Sequence, residues 1–210
     1  MNNAWLADVL LPAGSVSMQI PLLEGVTRLK AEAARVLLVL DQAGRPAGMF
    51  GAREVLAALA TRDGRHGLVV GDVMSTPCPI ASRGLHPTEA WQRMRATKSG
   101  GLLLVDAAGV VEGMLTEREL MRHPVFWTRA EVDRVASAMR KDEVSAAMTL
   151  GEAVRRMADQ HVDCLLVEEN GEVVGILGED EVLAEIEAGD AWRRRPVREA
   201  MRTPGPVIAP

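Results

Sequence analysis

Two residues near the middle of the chain, Thr116 and Glu119, have side chains suited to binding a polar ligand. A hydroxyl both donates and accepts hydrogen bonds, and a carboxylate can accept from two hydroxyl groups at once. The same pair, three residues apart, also fits a capping box at the start of a helix, worth about 1 kcal/mol with no ligand present. The spacing therefore supports either a binding role or a purely structural one.

The other reactive residue types form no catalytic or metal-binding pattern. Cys78 and Cys164 are distant from each other and from any CxxC spacing, and two cysteines make neither a zinc site nor a disulfide framework. The four histidines share no spacing that would put two of them on one helix face. We therefore expect no catalytic residue, no metal ion and no required cofactor, and we interpret the protein as a non-enzyme.

The charge and the aromatic content argue against a nucleic-acid partner. The formal net charge is −5, whereas general nucleic-acid binders carry a basic face. With no tyrosine and two phenylalanines, the chain has little surface on which bases could stack. The basic cluster at 193–195 is interpreted as a solvated linker or a phosphate contact.

The apolar runs are too short for a membrane span. The longest, at 36–40 and 102–105, fall far below the roughly 20 residues that cross a bilayer. The amino terminus lacks the basic flank and the apolar stretch of a secretory signal. We therefore expect a cytoplasmic protein without a membrane partner.

One pattern occurs three times along the chain. A glycine turn, a short apolar strand and a helix with an acidic start recur at a spacing of roughly 64 residues, at 44–55, 109–120 and 171–183. Each copy is preceded by a second short signature, which occurs once more at 197–201. We expect three repeats with boundaries at 1–62, 68–127 and 131–189, and the start of a fourth repeat or a terminal strand at 196–210.

The hydrophobic period changes in the same order within each repeat. In the second copy, a short extended piece at 79–81 precedes a helix that starts at Pro87, and the apolar run at 102–105 leads through a turn into its hairpin partner at 110–115. A closing helix begins near Thr116 and is expected to end at His123-Pro124. Strand, helix, strand, strand, helix is therefore the expected order, which predicts an α+β or α/β fold with small sheets.

These motifs resemble the CBS domain, named after cystathionine β-synthase. The second copy matches best, with Val-Gly-Asp-Val-Met at 70–74, an apolar strand that ends in Val-Asp at 105–106, and Gly-Met-Leu-Thr-Glu-Arg-Glu-Leu at 113–120. The resemblance implies tandem repeats, known as a Bateman module, that pack sheet against sheet about a pseudo-twofold axis. Clefts between such repeats typically hold an adenine nucleotide (AMP, ADP or ATP) or S-adenosylmethionine as a regulatory ligand.

The resemblance assigns the polar pair a role at such a cleft. By the family pattern, Thr116 offers a hydroxyl at the amino end of a helix, where backbone N–H groups and the dipole favour a phosphate. Glu119 takes the acidic position whose carboxylate accepts from the ribose 2′ and 3′ hydroxyls.

Further ligand contacts are expected around this pair. The candidate apolar residues, which would wall the base or line the cleft, are Ile80, Leu102, Leu104 and Leu115. The candidate phosphate contacts are Lys98, Ser99 and Arg118. A solvated turn is the alternative for Lys98 and Ser99, and a place on the helix surface is the alternative for Arg118.

The chain also departs from the family pattern. The usual aspartate is a glutamate in all three repeats, and the threonine position is glycine in repeats one and three, at Gly51 and Gly178. Those two glycines offer only backbone donors, so a single working site centred on repeat two is expected.

The resemblance allows two functions, which differ in whether the clefts between repeats bind a ligand. The first is a regulatory module that senses an adenosyl ligand and controls an attached or associated effector. The second is a degenerate CBS scaffold for dimerisation or protein interaction without a ligand. Repeats one and two are expected to pair, and repeat three is expected to pair with a fourth repeat or with its counterpart in a second chain, giving a homodimer.

Overall fold

The chain folds into three copies of one arrangement: strand, helix, strand, strand, helix. The computed structural model describes residues 10–32, 34–61, 66–82, 84–97, 99–122 and 143–203. Repeat one consists of β1 (Ser15–Ser17), α1 (Leu22–Ala31), β2 (Val36–Leu40), β3 (Pro46–Gly51) and α2 (Ala52–Thr61). Repeat two consists of β4 (Ile80–Ser82), α3 (Pro87–Thr97), β5 (Gly101–Val105), β6 (Val111–Thr116) and α4 (Glu117–Arg122). Repeat three consists of β7 (Glu143–Ser145), α5 (Leu150–Gln160), β8 (Cys164–Glu169), β9 (Glu172–Gly178) and α6 (Glu179–Ala188).

The expected mixed class is confirmed, since each repeat has its own three-stranded sheet covered by helices. The first strand runs parallel to the second, which requires a helical crossover, and the second and third form an antiparallel hairpin. The expected end of the second closing helix, at His123-Pro124, and the last residues at 204–210 lie outside the described residues.

The hairpin turns explain the recurring glycines. Gly44, Gly109 and Gly171 have φ angles of 74°, 81° and 83°, a region that side chains disfavour. In repeat two, Asp106 fixes the turn because its Oδ1 accepts hydrogen bonds from the backbone N–H groups of Ala108 and Val110, both at 2.8 Å. The aspartate and the glycine of this motif therefore stabilise the turn.

Contacts between residues divide the chain into two compact units. The first consists of Met1–Gly51 with Gly67–Met139, and the second of Ala52–His66 with Arg140–Pro210. Helix α2 therefore belongs with repeat three, where it packs on α5 and α6, although it closes repeat one in sequence. The repeat boundaries expected at 1–62 and 131–189 follow the repeated sequence pattern. The compact units differ from them, because α2 of repeat one clusters with repeat three.

Within the first unit, the sheets of repeats one and two pack against each other. Leu38 and Met49 from repeat one share a buried cluster with Leu103 and Met114 from repeat two. Each repeat contributes the same two positions, one on its second strand and one on its third. This pairing is the one that the resemblance implied for sequential neighbours.

Within the second unit, arginines hold the elements together. Arg193 donates from Nη2 to the backbone oxygen of Leu59 at 2.7 Å, near the carboxyl end of α2, and its guanidinium lies 4.7 Å from the ring centre of Trp192. Arg195 pairs with Glu185 and Glu199. Two members of the basic cluster thus make structural contacts, which differs from the solvated linker considered from sequence.

In the part of the chain that the structure describes, no helix combines the length and the apolar character needed to cross a bilayer.

Candidate functional site

The junction between β6 and α4 brings Thr116 and Glu119 together. Thr116 is the last residue of β6 and only 2% exposed, and α4 starts at the next residue. The Thr116 hydroxyl donates to Oε2 of the half-buried Glu119. The spacing of three residues thus brings the two side chains into contact where the strand ends and the helix begins.

An equivalent pair elsewhere in the chain has a plain capping role. At the start of α5, the Thr149 hydroxyl accepts from the backbone N–H of Glu152 at 3.3 Å, and Oε2 of Glu152 accepts from the backbone N–H of Thr149 at 3.1 Å. These reciprocal bonds form a capping box. The Thr149 hydroxyl also donates to the same carboxylate at 2.7 Å, and this bond is the main cause that lowers the pKa of Glu152. Contact between a threonine and a glutamate therefore does not by itself distinguish a capping role from a ligand-binding role for Thr116 and Glu119.

The segment that precedes β1 lies beside the candidate site. Leu11 and Met114 exchange two backbone hydrogen bonds, of 2.9 and 2.8 Å, so this lead-in segment runs antiparallel to β6 two residues before Thr116. The approach is close enough that a Cβ on Gly113 would lie 2.7 Å from the backbone oxygen of Leu11. The glycine of the family motif is thus required by the close approach of the segment at Leu10 and Leu11.

The same lead-in arrangement occurs on the other two sheets. Ser75, which precedes β4, bridges Met49 of repeat one, and Arg202 bridges Ile176 of repeat three. The sequence revealed that the lead-in signature recurs, but it carried no signal of the strand on which each copy rests. The fourth signature, at 197–201, belongs to this pattern and packs within the second unit.

The expected apolar wall is divided between two faces of the sheet. Leu102, Leu104 and Leu115 are fully buried in the core of repeat two, beneath its own helices. Ile80 is 47% exposed and pairs in register with Leu103, which places it on the opposite face. The structure therefore does not bring Ile80 together with Leu102 and Leu104 around one slot. Leu103 and Met114, which the sequence did not single out, occupy the face that Ile80 shares.

Of the three expected phosphate contacts, the structure describes the side chain of one, Ser99. Ser99 is buried, donates to the backbone oxygen of Gly101 at 2.7 Å and lies 2.9 Å from the hydroxyl of Thr97. Its hydroxyl therefore stabilises the turn before β5. Lys98 lies outside the described residues, as does the side chain of Arg118.

The equivalent glutamates of repeats one and three have different surroundings. Glu54 is buried at 8% exposure on α2. In repeat three, Oε2 of Glu181 accepts from the backbone N–H of Gly178 at 2.9 Å, and Oε1 lies 3.7 Å from Nε of Arg202. A Cβ on Gly178 would lie 2.8 Å from that Oε2, so the carboxylate occupies the space where a threonine side chain would begin.

Within the described ranges, the thiols and the acidic groups form no second kind of site. Burial raises the pKa of the Cys78 thiol to about 11, and burial is also the main cause that raises the pKa of Cys164. No group of three His, Cys, Asp or Glu side chains suited to a metal ion occurs among the residues described.

The sequence matches a family model twice. The model of the CBS domain covers residues 70–125 and 132–188, which correspond to repeats two and three. The chain belongs to the CBS domain family. Repeat one, which that model does not match, has the same order of elements and the same strand pairing as the two CBS domains that follow it. None of the curated proteins matches the sequence.

Solved CBS structures share the fold at low sequence identity. Protein MJ1225 from Methanocaldococcus jannaschii is 15% identical, with a TM-score of 0.71 over 91% of this chain and 79% of its own. The CBS domain protein TA0289 from Thermoplasma acidophilum is 15% identical, with a TM-score of 0.53 over 82% of this chain and 84% of its own. ATU1752 from Agrobacterium tumefaciens, also 15% identical, has a TM-score of 0.52 and covers 57% of this chain and 90% of its own. At such identities, the likeness establishes the fold.

Proposed function

We propose that the chain is a regulatory ligand-binding module in which repeat two binds an adenosine-containing ligand through Thr116 and Glu119. AMP, ADP, ATP and S-adenosylmethionine are the ligand class. Binding would control an attached or associated effector, and the chain itself would catalyse no reaction. Self-association of the chain is part of the proposal, and the cytoplasmic location stays a prediction from sequence.

The observation that carries this proposal is the pairing of a hydroxyl and a carboxylate at the start of α4, beside a lead-in segment. Among the three repeats, repeat two combines both side chains at these positions, whereas Gly51 and Gly178 supply no hydroxyl. Glu119 is half-buried as a residue, so it is not enclosed in the core. Membership of the CBS family supports a role in sensing rather than catalysis.

The pair would act by exchanging partners. In the structure, the Thr116 hydroxyl donates to Glu119. A ribose with two adjacent hydroxyls would donate to the same carboxylate, which frees or reorients the threonine hydroxyl for a neighbouring polar group of the ligand. Such an exchange changes the first turn of α4, and a ligand controls an effector only if it binds the two states with different affinity.

A scaffold without a ligand is the second candidate, and a specific observation favours it. The hydroxyl of Thr116 and the carboxylate of Glu119 satisfy each other, as Thr149 and Glu152 do at a site with a capping role. Under this reading, the pair stabilises α4, and the repeats serve only to pair and to present surfaces.

Thermal unfolding with a ligand panel separates the two candidates. The panel consists of AMP, ADP, ATP, S-adenosylmethionine and cyclic dinucleotides, each tested over a range of concentrations. A ligand present at a hundredfold excess over its Kd stabilises the folded state by about 2.7 kcal/mol, which raises the Tm by several degrees. If no member of the panel shifts the Tm, the scaffold is favoured.

Three variants assign the shift to the site. Thr116→Val and Glu119→Ala should abolish the ligand-dependent shift. Thr149→Val is the matched control, because it makes the same substitution at a threonine that belongs to the capping box of α5. We expect both threonine variants to lower the free energy of unfolding by about 1 kcal/mol, whereas the control keeps the full ligand shift. A ligand shift that survives in Thr116→Val and Glu119→Ala would remove both residues from the proposed role.

A further inference from the structure

The hairpin turn of repeat three differs from its counterparts in the residue before the glycine. That residue is Ala43 in repeat one, Ala108 in repeat two and Asn170 in repeat three. Asn170 is exposed, and of the residues that the structure describes it is the one asparagine. A glycine has no Cβ to shield its backbone nitrogen, so a glycine directly after an asparagine leaves that nitrogen free to attack the asparagine amide.

This attack leads to deamidation, a reaction that needs no reagent other than water. The backbone nitrogen of Gly171 bonds to Cγ of Asn170, and the side-chain NH2 group leaves as ammonia, taking the proton of that nitrogen. Water then opens the five-membered imide at either of its carbonyl carbons. The product is an aspartyl residue or an isoaspartyl residue, in which the main chain runs through the side-chain carbon.

The folded turn holds the reacting atoms apart. Asn170 and Gly171 are the two residues between β8 and β9, and their φ angles of 56° and 83° both lie in the left-handed region. Two such residues are typical of a type I′ turn. Ring closure requires the nitrogen of Gly171 to rotate beside Cβ of Asn170, whereas in the left-handed conformation that nitrogen points away from Cβ. The turn must therefore leave this conformation before the imide can form.

A carboxylate adds a second restraint on the same nitrogen. Oε1 of Glu168 accepts a hydrogen bond from the backbone N–H of Gly171 at 2.6 Å. In repeats one and two, the turn glycine instead donates to the backbone oxygen of the aspartate three residues earlier, at 3.0 and 3.1 Å. A hydrogen bond to an ionised acceptor is stronger than one to a neutral carbonyl. The asparagine and the side chain that holds its attacker thus occur together in repeat three.

We propose that Asn170 is a site of deamidation in the folded chain, and that the carboxylate of Glu168 slows the reaction by holding the N–H of Gly171. The reaction proceeds from the opened turn, so its rate follows the fraction of molecules in which the hairpin is open. This inference goes beyond the proposed function, and it does not depend on a ligand at Thr116 and Glu119.

Deamidation would weaken the hairpin in which it occurs. Glu169 and Glu172 already face each other across the two strands, and like charges in such pairs are destabilising. A new carboxylate at position 170 lies between them in sequence and close to Glu168. The isoaspartyl product also adds a carbon atom to the main chain of a two-residue turn, which disturbs the register of the pair. We therefore expect the modified chain to have a less stable β8–β9 hairpin.

Mass spectrometry of peptides from the aged full-length chain tests the proposal. The chain is kept in mildly alkaline buffer, and the conversion of Asn170 is followed by the mass difference between amide and acid. The same chain in guanidinium chloride gives the rate for the open turn. We expect conversion in the folded chain at a lower rate than in denaturant. Asn170→Ala, which restores the residue of the other two repeats, should keep its hairpin unaltered on ageing.

Variants of the acidic side chains test the role of the hydrogen bond. Glu168→Ala should speed the reaction of the folded chain by about threefold or more, as expected for the loss of one hydrogen bond. Glu168→Gln keeps an oxygen acceptor and should react at a rate closer to that of the unaltered chain. Glu172→Ala is the matched control, because it removes an exposed carboxylate from the other end of the same turn. We expect it to leave the rate unchanged.

Each outcome decides the proposal. If Asn170 stays intact in the folded chain while the denatured chain is converted, it is no site of modification in the folded protein. Equal rates for Glu168→Ala and Glu172→Ala, or a slower reaction in Glu168→Ala, would overturn the restraint by Glu168. If Glu168→Ala fails to fold, hydrogen exchange in the unaltered chain decides. The Gly171 N–H should exchange more slowly than in an unstructured peptide, and exchange at the unstructured rate would overturn the restraint.

Discussion

Leu11 and Met114 exchange two backbone hydrogen bonds, at 2.9 and 2.8 Å, and these tie the segment ahead of β1 to the strand that ends at Thr116. The bridge joins residues about a hundred positions apart, and it is repeated on each of the other two sheets by Ser75 and Arg202. In each of the three described sheets, a lead-in segment of the same chain thus lies against the third strand.

This close approach makes Gly113 sensitive to substitution. Gly113→Ala should lower the free energy of unfolding by about 1–3 kcal/mol, because its Cβ would lie 2.7 Å from the backbone oxygen of Leu11 and from Cγ of Leu10. Chemical denaturation measures the change, and Gly84→Ala is the matched control since its Cβ would meet nothing within 4 Å. Equal stability of the two variants would contradict the bridge.

Arg193 should be the member of the basic cluster on which the second unit depends. Arg193→Ala removes the 2.7 Å hydrogen bond to the backbone oxygen of Leu59 and the stacking on Trp192, so we expect a loss of about 1.5–3 kcal/mol in the free energy of unfolding. The neighbouring Arg194→Ala is the control, because Arg194 is exposed. The prediction fails if both variants unfold at the same denaturant concentration.

The capping box of α5 should weaken in acid. Hydrogen bonds from Thr149 lower the pKa of Glu152 in the folded state, so the ionised carboxylate favours folding above the ordinary glutamate pKa, and this contribution is lost as the pH falls through the lowered folded value. A double-mutant cycle of Thr149→Val and Glu152→Gln, measured at a series of pH values, gives the coupling free energy. We expect coupling near neutral pH that declines below the usual glutamate range, and a coupling independent of pH would rule out this origin.

The two thiols should differ in reactivity. In dilute protein near pH 8, a disulfide reagent such as dithionitrobenzoate should modify Cys164 faster than Cys78, because Cys164 is exposed whereas burial raises the pKa of Cys78 to about 11. Cys164→Ser should remove the fast phase, and Cys78→Ala should preserve it. Reaction of both thiols in one rapid phase would contradict the burial of Cys78 between the sheets.

Much of the local structure was predictable because it depends on residues close in sequence. The turn at Asp106 and Gly109, the order of strands and helices, and the contact of Thr116 with Glu119 all involve neighbours within a few positions. Repetition of one pattern three times strengthened each prediction and pointed to the CBS family.

The tertiary structure decided which face of each sheet packs on which element. A strand buried on both faces has no alternation of apolar and polar residues, so its sequence does not distinguish the two faces. Leu102, Leu103 and Leu104 are all fully buried and equally apolar, so their sequence could not tell that Leu103 faces another sheet while its neighbours face helices. The packing of α2 on α5 and α6 was equally hidden, because an apolar stripe does not identify the element that covers it, and distant contacts such as that of Arg193 with Leu59 contribute to the choice. Local chemistry thus determined the elements and the polar pair, and packing between distant segments determined what surrounds them.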